Sequence, residues 1–169
     1  MLKEIEERYS CRKYTDQAVE KEKIDEVIKA GLAAPSGMNT QYGIVIAVTD
    51  KKTRDKLSVL NAEVMGEKGD PFYGAPVVLI VAVKKYRNSK YDGAAMITSM
   101  AIEATHQGLG SCWINRAKEE LESEEGKALL KKTGLDFEEY EGIGHLILGY
   151  ADMEKPQKKI RENRVYYIG

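Results

Sequence analysis

The segment APVVLIVAVKK, residues 75–85, is an unbroken run of apolar side chains, rich in β-branched residues, that ends in two lysines. A second run of the same kind, GIVIAVTD, occupies residues 43–50. A strand with one face in water alternates apolar and polar residues, whereas a strand covered on both faces has continuous apolar sequence. Both runs therefore predict strands that are covered on both faces.

Helical patterns alternate with these strands along the chain. Apolar residues recur at helical spacing in residues 19–34 and 51–66. Residues 91–110 are mostly small or apolar and end at a glycine, a pattern that predicts a buried central helix. Next come a short strand, a charged helix and a strong last strand, at residues 111–114, 117–134 and 142–151. This order predicts an α+β fold in which helices wrap a central, mainly antiparallel or mixed sheet.

The size and charge of the chain limit its class. Its 169 residues and formal net charge of -1 fit one domain over residues 1–169, with no overall field that would attract nucleic acid or an acidic membrane surface. The N-terminus, MLKEIEERYS, mixes charged residues with Leu2 and Ile5, as an amphipathic helix does and a signal peptide does not. No apolar run approaches the roughly 18 residues of a membrane span. We therefore expect neither nucleic acid nor a membrane as a partner.

The two cysteines, Cys11 and Cys112, are far apart and lie in no CxxC motif. This spacing argues against a disulfide framework and against a zinc site, and it favours the reducing cytoplasm as the location of the protein. Cys112 lies on a predicted buried strand, where free cysteines usually serve packing.

Several common kinds of chemistry are disfavoured by the sequence. No P-loop motif is present, and the glycine pairs in GLGSCW and GIGH lead into strands, which is the wrong context for a dinucleotide fingerprint. His106 and His145 are the only histidines and are predicted to be hydrogen-bonded core or interface residues. Ser111-Cys112 lacks the strand-to-helix elbow of a hydrolase nucleophile. The acidic run KEELESEEGK, residues 118–127, predicts a solvated helix face.

Two basic clusters remain to be explained. Near the N-terminus, in ERYSCRKYTD (7–16), Arg8 and Arg12 are four residues apart with Ser10 between them. One helix end or turn could present both guanidinium groups and the hydroxyl to a single phosphate. The alternative is a solvated basic turn with surface salt bridges. The second cluster is KPQKKIRENR, residues 155–164.

Five segments in their order resemble the nitroreductase family of flavin-dependent oxidoreductases, and most closely its short single-domain members. They are RYSCRKY (8–14), APSGMNTQ (34–41), FYGAPVVLIVAV (72–83), DGAAMITSMAIEATHQGLGSCWI (92–114) and GHLILGYADMEKPQKKIREN (144–163). Each motif is weak alone, but their joint order covers almost the whole chain. The resemblance implies a nitroreductase-like FMN-binding fold, a homodimer, and electron transfer from NADH or NADPH to nitroaromatic, quinone or related small organic acceptors by a ping-pong mechanism.

Other functions on this fold stay open at this point. One is a different flavin chemistry, such as reductive dehalogenation or flavin fragmentation. Another is a non-catalytic FMN carrier or electron store. In the reductase interpretation, the flavin N5 carries the chemistry and no side chain need act as a general base.

The resemblance also implies which residues bind FMN. The R-x-S-x-R pattern, with the intervening tyrosine, holds the phosphate and ribityl side, and its second arginine faces the N1 and O2 edge of the ring; the matching residues are Arg8, Tyr9, Ser10 and Arg12. A later basic pair, matched by Lys159 and Arg161, supplies a second phosphate contact.

The remaining implied contacts involve the ring and the other subunit. The P-S-x-x-N motif reaches the flavin from the neighbouring chain and is matched by Pro35, Ser36 and Asn39, although Pro35 and Ser36 also suit a simple helix stop. Asn61 matches an asparagine that hydrogen-bonds the pyrimidine edge, and the backbone of Ile114, Asn115 and Arg116 lies along the N5 side. The tail, about residues 162–169, is expected to pack on the partner subunit because it ends in adjacent apolar side chains.

Overall fold

The computed structural model describes all 169 residues and contains six α-helices and four β-strands. In chain order they are α1 (Lys3–Glu7), α2 (Lys21–Leu32), β1 (Gly43–Val48), α3 (Lys51–Met65), β2 (Val77–Lys84), α4 (Ser89–His106), β3 (Gly110–Ile114), α5 (Ala117–Glu122), α6 (Glu124–Leu130) and β4 (Tyr140–Gly149). Short 3₁₀ turns occupy Gly37–Asn39, Lys131–Thr133 and Phe137–Glu139. The predicted order of elements and the α+β class are confirmed.

The four strands form one antiparallel sheet in the order β1-β2-β4-β3. β2 is central, and Val77 to Val83 are all buried, as its continuous apolar sequence predicts. β1 differs from the prediction. It is an edge strand, only Ile46 and Val48 are buried, and Ala47 is exposed. The prediction was wrong for β1 because β-branched residues suit a half-covered edge strand as well as a strand that is covered on both faces. Composition alone does not distinguish the two cases.

Each face of the sheet carries its own hydrophobic core. Alternate residues of β2 point to opposite faces, so Val78 and Ile80 pack with Leu57 of α3 and Leu121 of α5. On the other face the partners come from α2 and α4: Ile24, Val27, Met96, Ile97 and Met100. The result is three layers, with helices on both faces of the sheet.

The predicted charged helix of residues 117–134 is divided in the structure. α5 ends at Ser123, whose backbone is extended and whose hydroxyl accepts a hydrogen bond from the amide of Gly126 at 3.0 Å. Ser123 therefore caps the start of α6, since serine is a preferred N-cap residue. The break separates the buried α5 from the more exposed α6.

The longest helix, α4, is the predicted small-residue helix. Gly93 lies so close to Ile143 of β4 that a β-carbon would overlap its side chain. Glycine at this point lets the helix approach the sheet. None of the helices combines the length and the apolar character needed to cross a membrane.

The two ends of the chain differ in how they are held. Residues 10–15 run along the edge of the sheet: Ser10 pairs with Ser111 of β3, and Tyr14 pairs with Ala151 just after β4. Every residue from Ala151 to Gly169 is exposed, including Val165, Tyr166 and Ile168. The N-terminal segment is thus part of the body, whereas the apolar end of the tail covers no surface of its own chain.

Candidate functional site

The end of β3, the segment after α3 and the N-terminal segment enclose an open cavity of about 290 Å³. Its wall combines cationic, aromatic and backbone groups. The lining residues are Arg12, Ala62, Met65, Glu67, Lys68, Gly69, Asp70, Pro71, Tyr73, Cys112, Trp113, Ile114, Asn115 and Arg116. Three of the predicted cofactor-binding residues, Arg12, Ile114 and Asn115, therefore meet in one place.

The R-x-S-x-R segment is extended in the structure, not helical. α1 ends at Glu7, and the amide of Cys11 donates to the carbonyl of Ser111 at 2.9 Å. Successive side chains of an extended segment point to opposite sides. Cys11 is fully buried, whereas Ser10 is half-buried and Arg12 exposed. The two arginines and the serine thus share the outer side of the segment through a spacing of two residues, not through a helix turn.

These three side chains gather around Cys112. Burial raises the pKa of the Cys112 thiol, while the charges of Arg12 and Arg8 and a hydrogen bond from Ser10 act in the opposite direction. Neither Arg8 nor Arg12 forms an ion pair with a carboxylate of the chain. The salt bridges of the alternative prediction are therefore absent, whereas a solvated basic turn stays open. Arg12 lines the cavity, and Arg8 and Ser10 lie on the same side of the segment.

One wall of the cavity is the segment between α3 and β2, and Asp70 holds it. Its carboxylate accepts hydrogen bonds from Ser58 at 2.6 Å and from the amides of Phe72 and Gly74 at 2.9 and 2.7 Å, and it pairs with Arg54. Burial raises the pKa of Asp70, but the hydrogen bonds from Arg54, Ser58 and Gly74 outweigh it and hold the pKa below its usual value. The hydrogen bonds of Asp70 to groups of the same chain therefore hold the segment between α3 and β2 in place.

The opposite wall, residues 114–116, rests on a buried polar cluster. Asn61 is fully buried, and its amide nitrogen donates to the carbonyl of Asn115 at 2.9 Å and to Glu120, while its oxygen accepts from Nε of Arg116 at 2.9 Å. Glu120 in turn contacts Nε2 of His145 at 2.8 Å. All the polar atoms of the Asn61 side chain are thus engaged behind the wall.

This arrangement differs from two expectations. Asn61 is not among the residues that line the cavity of this chain, and its amide contacts the backbone that forms the wall. Glu120 belongs to the acidic run that was predicted to be a solvated helix face, yet it is only 1% exposed. Exposed glutamates in the same run have similar spacings to lysines. The sequence therefore does not distinguish the buried Glu120 from its exposed neighbours.

One of the two histidines is buried and the other is exposed. His145 is fully buried and hydrogen-bonded, as predicted. His106 is exposed at the end of α4, where its Nδ1 lies 3.2 Å from Glu4, so it is hydrogen-bonded but not a core residue, and the interface alternative stays a prediction. A polar residue in the last turn of a helix is solvated more readily than one in mid-strand.

Pro35, Ser36 and Asn39 are not among the residues that line this cavity. Pro35 and Ser36 line a smaller cavity of about 210 Å³ beside α2 and α4. The turn they begin is unusual, because Met38, Asn39 and Gln41 all have positive φ, at 54°, 55° and 50°. Non-glycine residues rarely adopt this conformation, and such strain often marks functional loops.

Internal hydrogen bonds stabilise that turn. The amide of Gln41 donates to the hydroxyl of Ser36 at 3.1 Å, and the amide of Gly37 donates to Asp92 of α4 at 3.0 Å. Asn39 itself is exposed. α2 already ends at Leu32, so Pro35 and Ser36 follow the helix end rather than forming it.

The other predicted residues fall outside both cavities. Tyr9 is half-buried, and its hydroxyl contacts the carbonyl of Met153 at 3.4 Å. Lys159 and Arg161 are exposed on the tail and line neither cavity. Within one chain the structure therefore does not join the two basic clusters.

Sequence reasoning gave Glu120 and His145 no place in the site, and it predicted a role only for the backbone of Arg116. Arg116 has φ 78° and ψ 10°, a left-handed conformation that is uncommon outside glycine, asparagine and aspartate. Glu120 and His145 are separated by 25 residues, and neither belongs to a recognised motif. The one available signal was an isolated histidine in a strongly apolar strand, which indicates a buried partner without identifying it.

Comparisons with known proteins agree with this geometry. The model of the nitroreductase family matches residues 5–150. An FMN reductase [NAD(P)H] from Bacillus subtilis is 30% identical over 72% of this chain, which spans about half the length of that protein. A protein of Archaeoglobus fulgidus assigned as an NADH dehydrogenase/NAD(P)H nitroreductase is 31% identical over 91% of this chain and 87% of its own length.

A solved structure supports the fold. The crystal structure of a nitroreductase with bound FMN from Bacteroides fragilis superposes with a TM-score of 0.90 at 23% identity, covering 98% of this chain and 97% of that one.

Proposed function

Because the chain belongs to the nitroreductase family, we propose that it is an FMN-dependent oxidoreductase. It takes electrons from NADH or NADPH and passes them to nitroaromatic, quinone or related small organic acceptors in a ping-pong order. The names of two relatives, an FMN reductase [NAD(P)H] and an NAD(P)H nitroreductase, support this proposal. The reducing cytoplasm is the proposed location, in keeping with two free, buried cysteines.

The observation that carries the proposal is the unneutralised cation cluster beside the cavity. Arg8 and Arg12 have no carboxylate partner, and Ser10 offers a hydroxyl from the same side of an extended segment. This donor set fits a phosphate dianion, since guanidinium groups form paired, charge-assisted hydrogen bonds to phosphate. FMN combines such a phosphate with a planar ring, and the cavity next to the cluster has aromatic and backbone groups in its wall.

We assign the binding roles from these positions. Arg8, Ser10 and Arg12 hold the phosphate and ribityl side, with Tyr9 supporting their segment through Met153. The backbone of Ile114 and Asn115 forms the wall for the ring. When bound, FMN supplies hydride chemistry, and the chain supplies binding, orientation and electrostatics. Arg12 places a cation at the edge of the cavity, where it favours any negative charge that develops on the bound group.

A second copy of the chain completes the site in this proposal. Pro35, Ser36 and Asn39 lie outside the cavity of their own chain, on a preformed turn. Lys159 and Arg161 are exposed on a segment, residues 155–164, that forms no hydrogen bond or ion pair with its own chain. A homodimer in which both segments reach the neighbouring cavity gives a role to the predicted residues of these two segments. The tail from about residue 162 then covers apolar surface of the partner.

Spectroscopy of the purified protein tests this function. We expect a yellow protein that releases FMN, is bleached anaerobically by NADH or NADPH, and regains its colour with a quinone or a nitroaromatic compound. Double-reciprocal plots of initial rate against nucleotide concentration that stay parallel at different acceptor concentrations would confirm the ping-pong order. A flavin that neither nucleotide bleaches would instead indicate an FMN carrier, and a colourless protein that does not take up FMN would contradict the proposal.

A further inference from the structure

Behind the cavity wall lies a cluster of buried, hydrogen-bonded polar side chains that hydrophobic packing alone does not require. His145 and Glu120 are 0% and 1% exposed, and Asn61 is 0% exposed. They come from three different elements, β4, α5 and α3. Burying three polar side chains is unfavourable unless every one is paired, so a fully paired set in the core indicates a task other than packing.

The hydrogen-bond geometry fixes the orientation of Asn61. The carbonyl of Asn115 can only accept, so the Asn61 atom that faces it at 2.9 Å is the amide nitrogen. Nε of Arg116 can only donate, so the atom that faces it at 2.9 Å is the Asn61 oxygen. Exchange of the two amide atoms would break both contacts. Asn61 thus donates a hydrogen bond to one group of the wall and accepts one from another.

His145 and Glu120 hold Asn61 in that orientation. Nδ1 of His145 lies 3.3 Å from the carbonyl of Ile114, which can only accept, so Nδ1 carries a hydrogen. Nε2 lies 2.8 Å from one oxygen of Glu120, and a single proton between these two atoms satisfies both. The other oxygen of Glu120 accepts from the amide nitrogen of Asn61. The chain of hydrogen bonds therefore runs without a gap from β4 to the cavity wall.

The wall needs such support. Arg116 is held in a left-handed conformation, and the Asn115 side chain next to it is exposed. Arg116 forms no ion pair, so its only side-chain hydrogen bond is the one from Nε to Asn61. The far side of its guanidinium group lines the cavity.

We infer that His145, Glu120 and Asn61 are positioning residues that fix the backbone of Asn115 and the guanidinium group of Arg116 at the cavity. None of the three touches the ligand; they act through the wall. What the cavity binds rests on the proposed function, whereas the positioning itself is a property of the protein without cofactor and is measured there.

The chain carries its own reporter of the wall. Trp113 is the only tryptophan, is 40% exposed, and immediately precedes Ile114. Its indole lies directly against Gly144, where a β-carbon would not fit, so its environment depends on the register of the wall against β4. Quenching of its fluorescence by acrylamide measures how open this position is, with no flavin present.

The decisive variants alter hydrogen bonding at nearly constant size. In Glu120→Gln, the amide can accept from Asn61 and donate to a neutral His145, so every contact is retained. In Glu120→Leu and Asn61→Leu these contacts are lost. The control is Leu121→Ala, which removes a buried apolar side chain from the same helix and leaves the polar chain intact.

We expect Glu120→Gln to match the wild type in both acrylamide quenching and FMN affinity. Glu120→Leu and Asn61→Leu should at least double the quenching constant and weaken FMN binding by about tenfold, the scale on which supporting residues act on a binding site. Leu121→Ala should lower the Tm and leave both readouts at the wild-type value. A role confined to stability would instead move only the Tm in all four variants.

Arg116→Lys tests the last link without disturbing the core, because it keeps the charge and removes the Nε donor. It should raise quenching and weaken FMN binding at an unchanged Tm. This variant decides the question if both leucine variants fail to fold. Wild-type quenching and affinity in Glu120→Leu and Asn61→Leu, or in Arg116→Lys, would overturn the inference. A wild-type protein that does not bind FMN would contradict the proposed function alone, since the quenching test needs no flavin.

Discussion

The two basic segments, residues 8–12 and 155–164, have similar side chains and opposite environments. The first is paired with β3 through Ser10 and Cys11, so its arginines have a fixed place beside a cavity. The second lies wholly in water and has no hydrogen bond or ion pair with the body. Charge alone therefore does not define a binding site. A cation becomes part of a site when the backbone that carries it is held by the sheet, or by a second chain.

The largest expected effect tests the fixed segment. Replacing Arg8 and Arg12 together by alanine should weaken FMN binding by about 100-fold or more, since each removes charge-assisted hydrogen bonds of about 1.5–3 kcal/mol. Riboflavin, which lacks the phosphate, should lose much less affinity than FMN, since only the ribityl and ring-edge contacts of Arg12 are removed. Titration of flavin fluorescence measures both affinities.

Lys13→Ala is the matched control for that pair. Lys13 is a neighbouring cation, but it is exposed and already paired with Asp152 at 2.6 Å. It should change FMN affinity by less than about twofold, as surface ion pairs contribute little. If Lys13→Ala weakened FMN binding as much as the arginine pair does, general positive charge and not the fixed segment would be responsible.

The next effect tests the free segment. Deleting residues 165–169 removes four adjacent apolar side chains that are 66% to 102% exposed in the single chain. If they cover the partner, the dissociation constant of the dimer should rise at least tenfold, because each buried apolar side chain contributes roughly 1.5–3 kcal/mol before ordering costs. FMN loss should accompany dissociation by mass action. Sedimentation and flavin content of the same sample measure the two together.

Val59→Ser on α3 provides the comparison for the truncation. Val59 is also an exposed apolar residue, at 54%, but it lies on the body away from the tail. It should leave both the dimer and the flavin content unchanged. A truncated protein that runs as a monomer yet keeps stoichiometric FMN would rule out the shared site.

A smaller effect concerns the wall held by Asp70. The pKa of Asp70 is lowered in the folded state, so its contribution to stability is present above the unfolded value of about 4 and is lost as the pH falls through the folded value. Asp70→Asn should therefore lower the free energy of unfolding by about 1 kcal/mol at pH 7, a figure reduced for partial exposure of the side chain. Below both pKa values the two proteins should converge.

Urea unfolding at pH 7, 5 and 3 measures this difference. Asp16→Asn is the control, since Asp16 is an exposed carboxylate that forms no ion pair. It should be neutral at every pH. A gap between wild type and Asp70→Asn that stayed constant down to pH 3 would show that the carboxylate charge is not what fixes the segment.

The smallest effect concerns Cys112. The thiol lines the cavity but is only 4% exposed, and burial raises its pKa against the opposing charges of Arg12 and Arg8. Since the thiolate is the reactive form, an aromatic disulfide reagent should label the native protein far more slowly than the protein in urea. Rapid labelling with loss of activity would indicate a redox role instead of packing.

The sequence predicted the elements well because most of them express a simple pattern. The apolar run of β2 and the small-residue helix α4 have no good alternative in a water-soluble fold, and both are confirmed. β1 was predicted to be covered on both faces but is an edge strand, because its β-branched residues suit the edge of a sheet as well as its centre. The break at Ser123 was missed because serine is common inside exposed helices and acts as a cap only when its backbone is extended.

The site was predictable only where a motif is local in sequence. Arg12, Ile114 and Asn115 were predicted from such motifs and line one cavity, while their contact with FMN stays a prediction. The burial of Glu120, the place of His145 and the side-chain contact of Arg116 were missed, because they depend on pairing across α3, α5 and β4. A glutamate in an acidic run has the same local pattern whether it faces water or an imidazole.

The order of the strands has a consequence for the chain as it is being made. β4, the last strand in sequence, lies inside the sheet between β2 and β3. β3 therefore has no partner in the sheet, and the outer edge of β2 stays open, until residue 149 has been synthesised. At roughly 5–20 residues per second, the apolar segment 77–83 spends several seconds with that edge unpaired. Nascent chains should accordingly bind chaperones until β4 emerges, and a ribosome stalled before residue 140 should hold an unfolded, protease-sensitive chain.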